Sequence, residues 1–202
     1  MSVPPNYYDK GVKSNLFQRV WHKRRFSFMR DFLPKVDSRI LDIGCHSGTF
    51  TKEIAKNFSH AEIFGIDIDK KAISYAQKNY PMLNFQVAAA ESLPFPKNQF
   101  DLILCLEVLE HVLNPDEVLV EARRCLKRGG WLVILVPSEN LLFRLIWFFW
   151  TKGRGKVWQG AHLHNLGGKY LIDLLKKNNF RIRESTTSHL GMLRAIKARR
   201  AQ

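Results

Sequence analysis

Short apolar runs alternate with amphipathic stretches along most of the chain, and this alternation indicates the secondary structure. The runs predict strands at Arg39–Ile43, Ile63–Ile68, Asn84–Val87, Phe100–Leu106, Trp131–Val136, Arg181–Glu184 and Met192–Ala198. Helical spacing and capping signals predict helices at Thr49–Phe58, Asp69–Tyr80, Pro115–Leu126 and Lys169–Lys177. The alternation favours an α/β fold with a doubly wound, mostly parallel, seven-stranded sheet and helices on both faces.

The N-terminal segment precedes this alternation. Residues 14–33 are predicted to form one amphipathic helix that ends at Pro34, because the residue before a proline is disfavoured in helices. Apolar residues recur along one face and basic residues occupy the other: Leu16, Phe17, Val20, Trp21, Phe28, Met29 and Phe32 against Lys23, Arg24 and Arg25. We therefore predict an N-terminal helical extension over residues 1–37 and one domain over residues 38–202.

The composition fits a globular protein with an anionic partner. The chain has 202 residues, of which 46% are hydrophobic and 25% charged, so it is long enough for a sizeable core and too apolar for general disorder. Lys and Arg total 32 against 18 Asp and Glu, a net charge of +14. Such a surplus favours a membrane surface, a nucleic acid or an acidic substrate as partner.

The cysteines and the apolar segments bear on the cellular compartment. Cys45, Cys105 and Cys125 lack metal-ligand spacing and leave one cysteine over, which is typical of a reducing environment. The N-terminus lacks the apolar stretch of a secretory signal. The most apolar run, residues 141–150, is half the length of about 20 that a membrane-spanning helix needs. We expect a cytoplasmic protein, and peripheral association with a membrane stays open.

The stretch "LDIGCHSGTF" predicts a ligand-binding loop between the first strand and the first helix of the alternation. Gly44 and Gly48 allow the backbone N–H groups at a helix N-terminus to approach a ligand closely. A dinucleotide loop reads G-x-G-x-x-G, and starting from Gly44 this chain has His46 and Thr49 at the second and third glycine positions. The two mismatches argue against a nicotinamide or flavin dinucleotide.

Two carboxylates narrow the choice of ligand. Asp67 ends the second strand about 20 residues after the loop, where a carboxylate can accept hydrogen bonds from both hydroxyls of a ribose. Asp42 lies at the tip of the first strand, where its negative charge would repel phosphates but suit an amino group or a sulfonium. The loop therefore favours a ligand that carries a ribose and a positive charge.

Four segments together resemble the successive motifs of class I S-adenosylmethionine-dependent methyltransferases, most closely the small-molecule and quinone-type branch. They are "ILDIGCHSG", "FGIDID", "AAAESLPFPKNQFDLILCLEVLEHV" and "CLKRGGWLVILVPSE", within about residues 38–137, and the later "YLIDLLKKNNF" also fits. The resemblance implies a Rossmann-like fold over residues 38–202, with S-adenosylmethionine as cofactor.

The resemblance also implies contacts for each part of the cofactor. The glycine loop would surround the methionine part, Asp67 would hold the ribose, and Ala90 and Glu91 would border the adenine. The full set of implied cofactor contacts is Asp42, Gly44, Cys45, His46, Gly48, Asp67, Ile68, Ala90, Glu91, Leu106 and Glu107, with Cys105 beside them. The chain departs from the family pattern at His46, where glycine is usual, and at Ala89, where many members have an aspartate.

Histidines near the cofactor edge are the candidate catalytic groups. Methyl transfer is an in-line displacement that depends mainly on alignment, and a base is needed only if the acceptor loses a proton. The candidates are His111, His162 and His164. In related quinone and small-RNA end methyltransferases, acidic residues and a histidine in this region can hold a metal, which makes Glu107, Glu110 and His111 candidate ligands. Many relatives carry "LEHV" without a metal, so a divalent ion is possible but not favoured.

An insertion at residues 138–167, between the fifth strand and its helix, lies at the carboxyl edge of the sheet, where ligands bind. It contains Leu141, Leu142, Leu145, Ile146, Trp147, Phe148, Phe149 and Trp150, followed by Lys152, Arg154 and Lys156. An apolar helix with cations at its end indicates a segment at the surface of an anionic membrane, a lid over an apolar acceptor, or a core helix packed on Leu16, Phe17 and Trp21. The predicted acceptor is therefore small, apolar or lipid-like, and methylated on O, N or C.

The alternative function is an RNA methyltransferase acting on ribose or base. The net charge and the basic tail "LRAIKARRAQ" permit it. Base N-methyltransferases of this fold carry an Asn/Asp-Pro-Pro-aromatic run after the fourth strand, where this chain reads Leu104-Cys105-Leu106-Glu107, and a proline-cysteine nucleophile is also absent. A cofactor-binding protein without catalysis is disfavoured because the loop and Asp67 are intact.

Overall fold

The computed structural model describes residues 4–7, 15–36, 38–138, 140–152, 162–164, 166 and 168–201. The helices are α1 (Leu16–Phe32), α2 (Thr49–Ala55), α3 (Lys70–Asn79), α4 (Pro115–Cys125), α5 (Leu141–Lys152) and α6 (Lys169–Lys177). The strands are β1 (Arg39–Ile43), β2 (Glu62–Asp67), β3 (Asn84–Val87), β4 (Phe100–Leu106), β5 (Leu126–Pro137), β6 (Phe180–Ser188) and β7 (Leu193–Arg200).

The strands form one seven-stranded sheet in the order β3-β2-β1-β4-β5-β7-β6. The neighbours from β3 to β5 pair in parallel, whereas β7 is antiparallel to both β5 and β6. The predicted mostly parallel, doubly wound sheet is confirmed. The strand order reverses between β1 and β4, and the crevice at the carboxyl ends of these two strands is where open α/β sheets bind ligands.

Helices cover both faces of the sheet because successive side chains of each strand point to opposite sides. Ile40 of β1 packs in a core cluster with Met29 of α1 and Ile54 of α2. Its neighbour Leu41 packs on the other face in a cluster with Leu119 of α4 and Leu171 of α6. The central strands are therefore buried on both faces, which explains their unbroken apolar sequences.

Several predicted element boundaries need correction. Helix α2 ends at Ala55 rather than at Phe58, and β5 begins at Leu126 rather than at Trp131. The strand starts early because Leu126 already pairs with Phe100 of β4, before a shift in register. Asp69 is confirmed as the N-cap of α3, since its Oδ1 accepts hydrogen bonds from the N–H groups of Lys71 (2.8 Å) and Ala72 (3.2 Å).

Helix α1 buries a different face from the one that its apolar residues suggest. Its buried residues are His22, Arg25, Met29 and Phe32, whereas Leu16, Phe17 and Val20 are exposed. The prediction of a basic solvent face is wrong at Arg25, because its guanidinium group forms an ion pair with Glu107 and lies 4.8 Å from the ring centre of Phe50. A buried cation with a carboxylate partner thus joins α1 to the end of β4.

The insertion contains a helix, as predicted, but most of that helix is not core. Phe143 of α5 is buried. The three leucines of the helix are exposed, and so are Ile146, Phe148 and Phe149. The interpretation of α5 as a core helix packed on Leu16 and Phe17 is therefore wrong. The side chain of Trp150, and Arg154 and Lys156, lie outside the described residues. A membrane-spanning helix is absent from the described part of the chain.

Candidate active site

The glycine loop links β1 to α2 through three residues with left-handed backbone. Gly44 has φ 74° and Gly48 has φ 73°, and between them His46 has φ 46°. The N–H groups of Gly44 and Cys45 both donate to the carbonyl of Ile66 in β2, at 2.8 and 2.9 Å. A side chain at Gly44 would place its Cβ 2.3 Å from Cγ2 of Val108. The loop therefore needs glycine at Gly44 for its conformation and for the close approach of Val108.

Asp67 fixes the shape of the loop from the end of the neighbouring strand. Its Oδ2 accepts a hydrogen bond from the His46 N–H and its Oδ1 accepts one from the Asp69 N–H, both at 2.9 Å. Since a carboxylate can accept about four hydrogen bonds, Asp67 retains acceptor capacity toward a ligand. One side chain thus holds the loop and faces the crevice.

Asp42 lies beneath the loop rather than at its surface. It is buried, and its Oδ2 accepts a hydrogen bond of 2.6 Å from the Thr51 hydroxyl of α2. The pKa of Asp42 is raised to about 7, mainly by burial and also by the nearby charge of Asp67, while the hydrogen bond from Thr51 opposes both. Asp42 therefore lies close to its protonation midpoint at neutral pH.

A cavity of about 720 Å³ opens at the carboxyl ends of β1 and β4. Small-molecule sites commonly have volumes of about 300–1,000 Å³. Its lining includes the glycine loop, Asp67 and the segment after β3, and also apolar and aromatic side chains of α1 and α5. Polar residues line it as well: Glu107, Glu110, His111 and His162. The cavity can thus hold a polar ligand beside an apolar one.

The glycine loop lies within a segment of the chain that matches a known protein family. A family model described as "Methyltransferase domain" matches residues 41–134. The chain is 30% identical over 170 residues to a ubiquinone biosynthesis O-methyltransferase of Pelagibacter ubique, covering 79% of this chain and 68% of that protein. The chain belongs to the class I S-adenosylmethionine-dependent methyltransferases. It is also 30% identical over 175 residues to an uncharacterized protein of Methanocaldococcus jannaschii, covering 86% and 77% of the two chains.

Solved structures confirm the methyltransferase fold. The chain superposes on one from the complex between the Haloferax volcanii Trm112 methyltransferase activator and a methyltransferase, with a TM-score of 0.75, 13% identity and coverage of 96% and 98%. It is also similar to a geranyl diphosphate methyltransferase, with a TM-score of 0.73, 15% identity and coverage of 97% and 84%. At these identities the similarity concerns the fold alone. Some relatives are longer, and the match spans 60% of the O-methyltransferase of Hydrogenovibrio crunogenus.

The methyltransferase cavity gathers most of the residues that the sequence suggested for the cofactor. Those that line it are Gly44, His46, Asp67, Ile68, Ala90, Glu91 and Glu107, together with Ala89. Asp42, Cys45, Gly48 and Leu106 are not among the lining residues, and Cys105 is buried in β4. Burial raises the pKa of the Cys45 and Cys105 thiols well above the ordinary value, which disfavours either as a nucleophile.

The candidate catalytic histidines occupy two different environments. The rings of His111 and His162 lie 5.2 Å apart at the cavity wall. Burial, and then the proximity of His111, lower the pKa of His162 to about 4, so its imidazole is neutral at pH 7. His164 does not line the cavity, and its Nε2 lies 3.0 Å from the carbonyl oxygen of Val112. Its ring therefore fixes the loop that follows β4.

The candidate metal ligands that lie together in the structure are not the same set as the sequence suggested. Glu110, His111 and His162 each place a ligand atom within 4.8 Å of the others, whereas Glu107 points to Arg25. The backbone explains the position of His162, because the N–H of Leu163 donates to the carbonyl of Glu110 at 2.7 Å. One carboxylate and two imidazoles form a donor set that suits a divalent transition metal.

The part of the cavity wall that α1 and the β6–β7 turn supply was not predicted from the sequence. On α1 it includes Phe17, Gln18, Trp21, His22 and Arg25, and after β6 it includes Met192 and Leu193. The helical spacing of Phe17 and Trp21 was the available signal, but it gave no indication that the helix crosses the crevice. Trp147 of α5 also lines the cavity, with its ring stacked 4.6 Å from that of His162.

Proposed function

We propose that this methyltransferase transfers the methyl group of S-adenosylmethionine to a small, apolar acceptor held between α1 and α5. The observation that carries the proposal is that one cavity is lined both by the glycine loop with Asp67 and by the aromatic side chains of Trp21, Phe143 and Trp147. Aromatic walls provide large apolar contact areas. An acceptor held by these rings would lie in the same cavity as the cofactor, where alignment of donor and acceptor drives transfer.

The polar part of the lining fits the parts of S-adenosylmethionine. The remaining acceptor capacity of Asp67 suits the ribose hydroxyls, since its two hydrogen bonds from backbone N–H groups leave positions toward the cavity. Ala89, Ala90 and Glu91 border the space beyond Asp67, where the adenine would lie.

A proton from an acceptor hydroxyl or amine would pass to His162 or His111. Both line the cavity. Burial keeps the ring of His162 neutral at pH 7, so it can accept a proton, but its pKa of about 4 makes it a weaker base than an ordinary histidine. The stacked rings of Trp147 and Phe143 hold the imidazole of His162 in place, at 4.6 and 6.0 Å between ring centres. We assign His162 and His111 together as the candidates for the base.

A divalent ion at Glu110, His111 and His162 is the second candidate for activating the acceptor. The donor atoms are close enough to share one ion, and their chemistry fits a transition metal. A bound ion would lower the pKa of a coordinated acceptor hydroxyl. In that case His162 and His111 would serve as ligands, and His162 would no longer accept the proton.

The experiment that tests the proposal is incubation with S-adenosylmethionine labelled in its methyl group, together with lipid, quinone and RNA extracts, followed by mass spectrometry. We expect label in an apolar compound of the organic phase, and none with the Asp67→Ala variant. Label in RNA alone would overturn the apolar acceptor and support ribose or base methylation instead. Absence of transfer to any fraction, with cofactor binding intact, would contradict the proposal as a whole.

A further inference from the structure

Two helices carry exposed apolar residues beside the opening of the cavity. On α5 Leu141 is 74% and Phe149 70% exposed, and on α1 Leu16 is 72% exposed. We call this set the apolar rim: Leu16, Phe17, Val20, Leu141, Leu142, Leu145, Ile146, Phe148 and Phe149. Soluble monomers rarely expose large contiguous apolar patches without a binding partner. The rim therefore indicates an interaction surface.

The charged residues within residues 16–30 and 141–152, the stretches that carry the rim, are all positive. Exposed cations alternate with the apolar residues: Arg19, Lys23 and Arg24 on α1, and Arg144 and Lys152 on α5. Neither residues 16–30 nor residues 141–152 contain an Asp or Glu. The Nζ atom of Lys152 lies 4.0 Å from the ring centre of Phe148, so charge and apolar surface meet directly. A surface of this kind complements a partner that is apolar inside and anionic at its boundary.

The rim also forms part of the cavity wall. Phe17 of α1 and Ile146 of α5 line the cavity and are at the same time exposed, at 55% and 38%. The opening therefore lies between the two exposed helices. An apolar acceptor dissolved in a lipid bilayer could enter the cavity through this opening without crossing water.

We propose that the apolar rim docks on the surface of an anionic lipid bilayer. Helix α5 has 12 residues and is too short to span a bilayer, but an amphipathic helix with cations can lie in the interface with its apolar side among the acyl chains. The functional consequence, collection of the acceptor from the bilayer, rests on the proposed function, whereas the docking itself can be measured without any methyl transfer.

The test is co-sedimentation with vesicles of phosphatidylcholine alone or mixed with phosphatidylglycerol. The wild-type protein should bind the mixed vesicles more tightly. Leu145→Ser with Phe149→Ser, neither of which lines the cavity, should weaken binding by roughly tenfold per side chain, the order expected for partial burial of these groups. Lys23→Gln with Arg24→Gln should weaken binding to the anionic vesicles by roughly fivefold per charge and leave binding to neutral vesicles unchanged.

The matched control is Met82→Ser with Val120→Ser, which removes two exposed apolar residues away from the rim. This control should bind vesicles like the wild type, and all variants should keep their affinity for S-adenosylmethionine. Failure of the wild type to bind anionic vesicles, or equal loss in the control and the rim variant, would overturn the proposal. A dimer that dissociates with the rim variant would overturn it too, since the rim would then be an interface between copies. Vesicle binding without methyl transfer would support docking and contradict only the proposed function.

Discussion

Acid should destabilise the protein through His22, a histidine that lines the cavity and is only 7% exposed. The pKa of His22 is lowered from 6.5 to about 3, mainly by burial and also by the neighbouring charges of Arg25 and His189. Between pH 6.5 and 3 the unfolded chain therefore binds a proton at this position that the native protein does not. The contribution of His22 to the free energy of unfolding is complete above pH 6.5 and is lost progressively as the pH falls toward 3.

The magnitude follows from the difference between the two pKa values. pH 5 lies about 1.5 units below the unfolded pKa of His22, and each unit is worth about 1.36 kcal/mol. Protonation of His22 in the unfolded chain therefore lowers the free energy of unfolding at pH 5 by about 2 kcal/mol relative to pH 7. Asp42 acts in the opposite direction, because its pKa is raised to about 7 and the native state keeps its proton as the pH falls. The two effects oppose each other in the wild type, so the prediction concerns the difference between the wild type and a His22→Gln variant.

Urea unfolding at pH 7 and pH 5 provides the measurement, with the free energy extrapolated to water. The wild type should lose about 2 kcal/mol more than His22→Gln between the two pH values, because Asp42 contributes equally to both proteins. His60→Gln, a substitution at an exposed histidine, is the matched control and should follow the wild type. Parallel pH dependence of the wild type and the His22 variant would refute the assignment of a buried, uncharged imidazole.

Two further predictions concern the metal and the glycine loop. If Glu110 and its histidine neighbours hold a divalent ion, calorimetry should detect ion binding to the wild type but not to Glu110→Gln. Chelation should then abolish activity until the ion is restored. Full activity after exhaustive chelation would contradict a catalytic metal and leave proton transfer as the role of these residues. Gly44→Ala should lower kcat by up to about 100-fold, the order expected for a displacement of about 1 Å, because its Cβ would lie 2.3 Å from Val108. Gly168→Ala, at φ 67° and ψ −131° with no atom within 4 Å of its Cβ, should cost about 1–3 kcal/mol of stability through backbone strain alone and leave kcat unchanged.

The sheet and its loops were predictable because their causes are local. The bounds of Phe100–Leu106 agree with the sequence prediction, since a strand buried on both faces is mostly apolar and ends where its apolar residues end. The bounds of the edge strand Asn84–Val87 agree as well. Gly44, Asp67 and Glu91 follow strand ends, so the topology of a parallel sheet brings them to one edge. The order of the strands is therefore sufficient to predict that these residues lie close together.

The placement of α1 was not predictable from its own residues. Arg25 reads as a solvent-facing cation, and it is buried because Glu107, 82 residues later in the chain, supplies its carboxylate partner. The apolar residues Leu16 and Val20 read as core positions, yet they are exposed beside the cavity. Helical periodicity identifies an apolar face but does not indicate whether that face meets the core, a ligand or a lipid.

The histidine cluster depended on contacts between distant segments as well. Glu107 and Glu110 are equivalent in sequence terms, but the backbone of Glu107 has φ 58° and its carboxylate pairs with Arg25. Glu110 instead meets His162, which a backbone hydrogen bond of the following residue holds beside it. The residue types of the cluster were predictable from the sequence, but which of these residues share a site depends on long-range packing.

The central claim is that S-adenosylmethionine binds in this cavity with its ribose on Asp67. Because Asp67 also holds the N–H groups of His46 and Asp69, a simple loss of affinity in Asp67→Ala would combine ribose binding with loop disorder. A comparison of two ligands, S-adenosylhomocysteine and its analogue without ribose hydroxyls, separates the two contributions. Asp173→Ala, which removes an exposed carboxylate of α6, controls for the change in charge.

The decisive measurement is the ratio of the two affinities by titration calorimetry, in the wild type and in Asp67→Ala. The wild type and the Asp173 control should prefer the ribose-containing ligand by roughly 10–150-fold, the effect of losing hydrogen bonds to a charged group. In Asp67→Ala the ratio should fall close to one. The same ratio in all three proteins would contradict the account, because the ribose would then bind elsewhere.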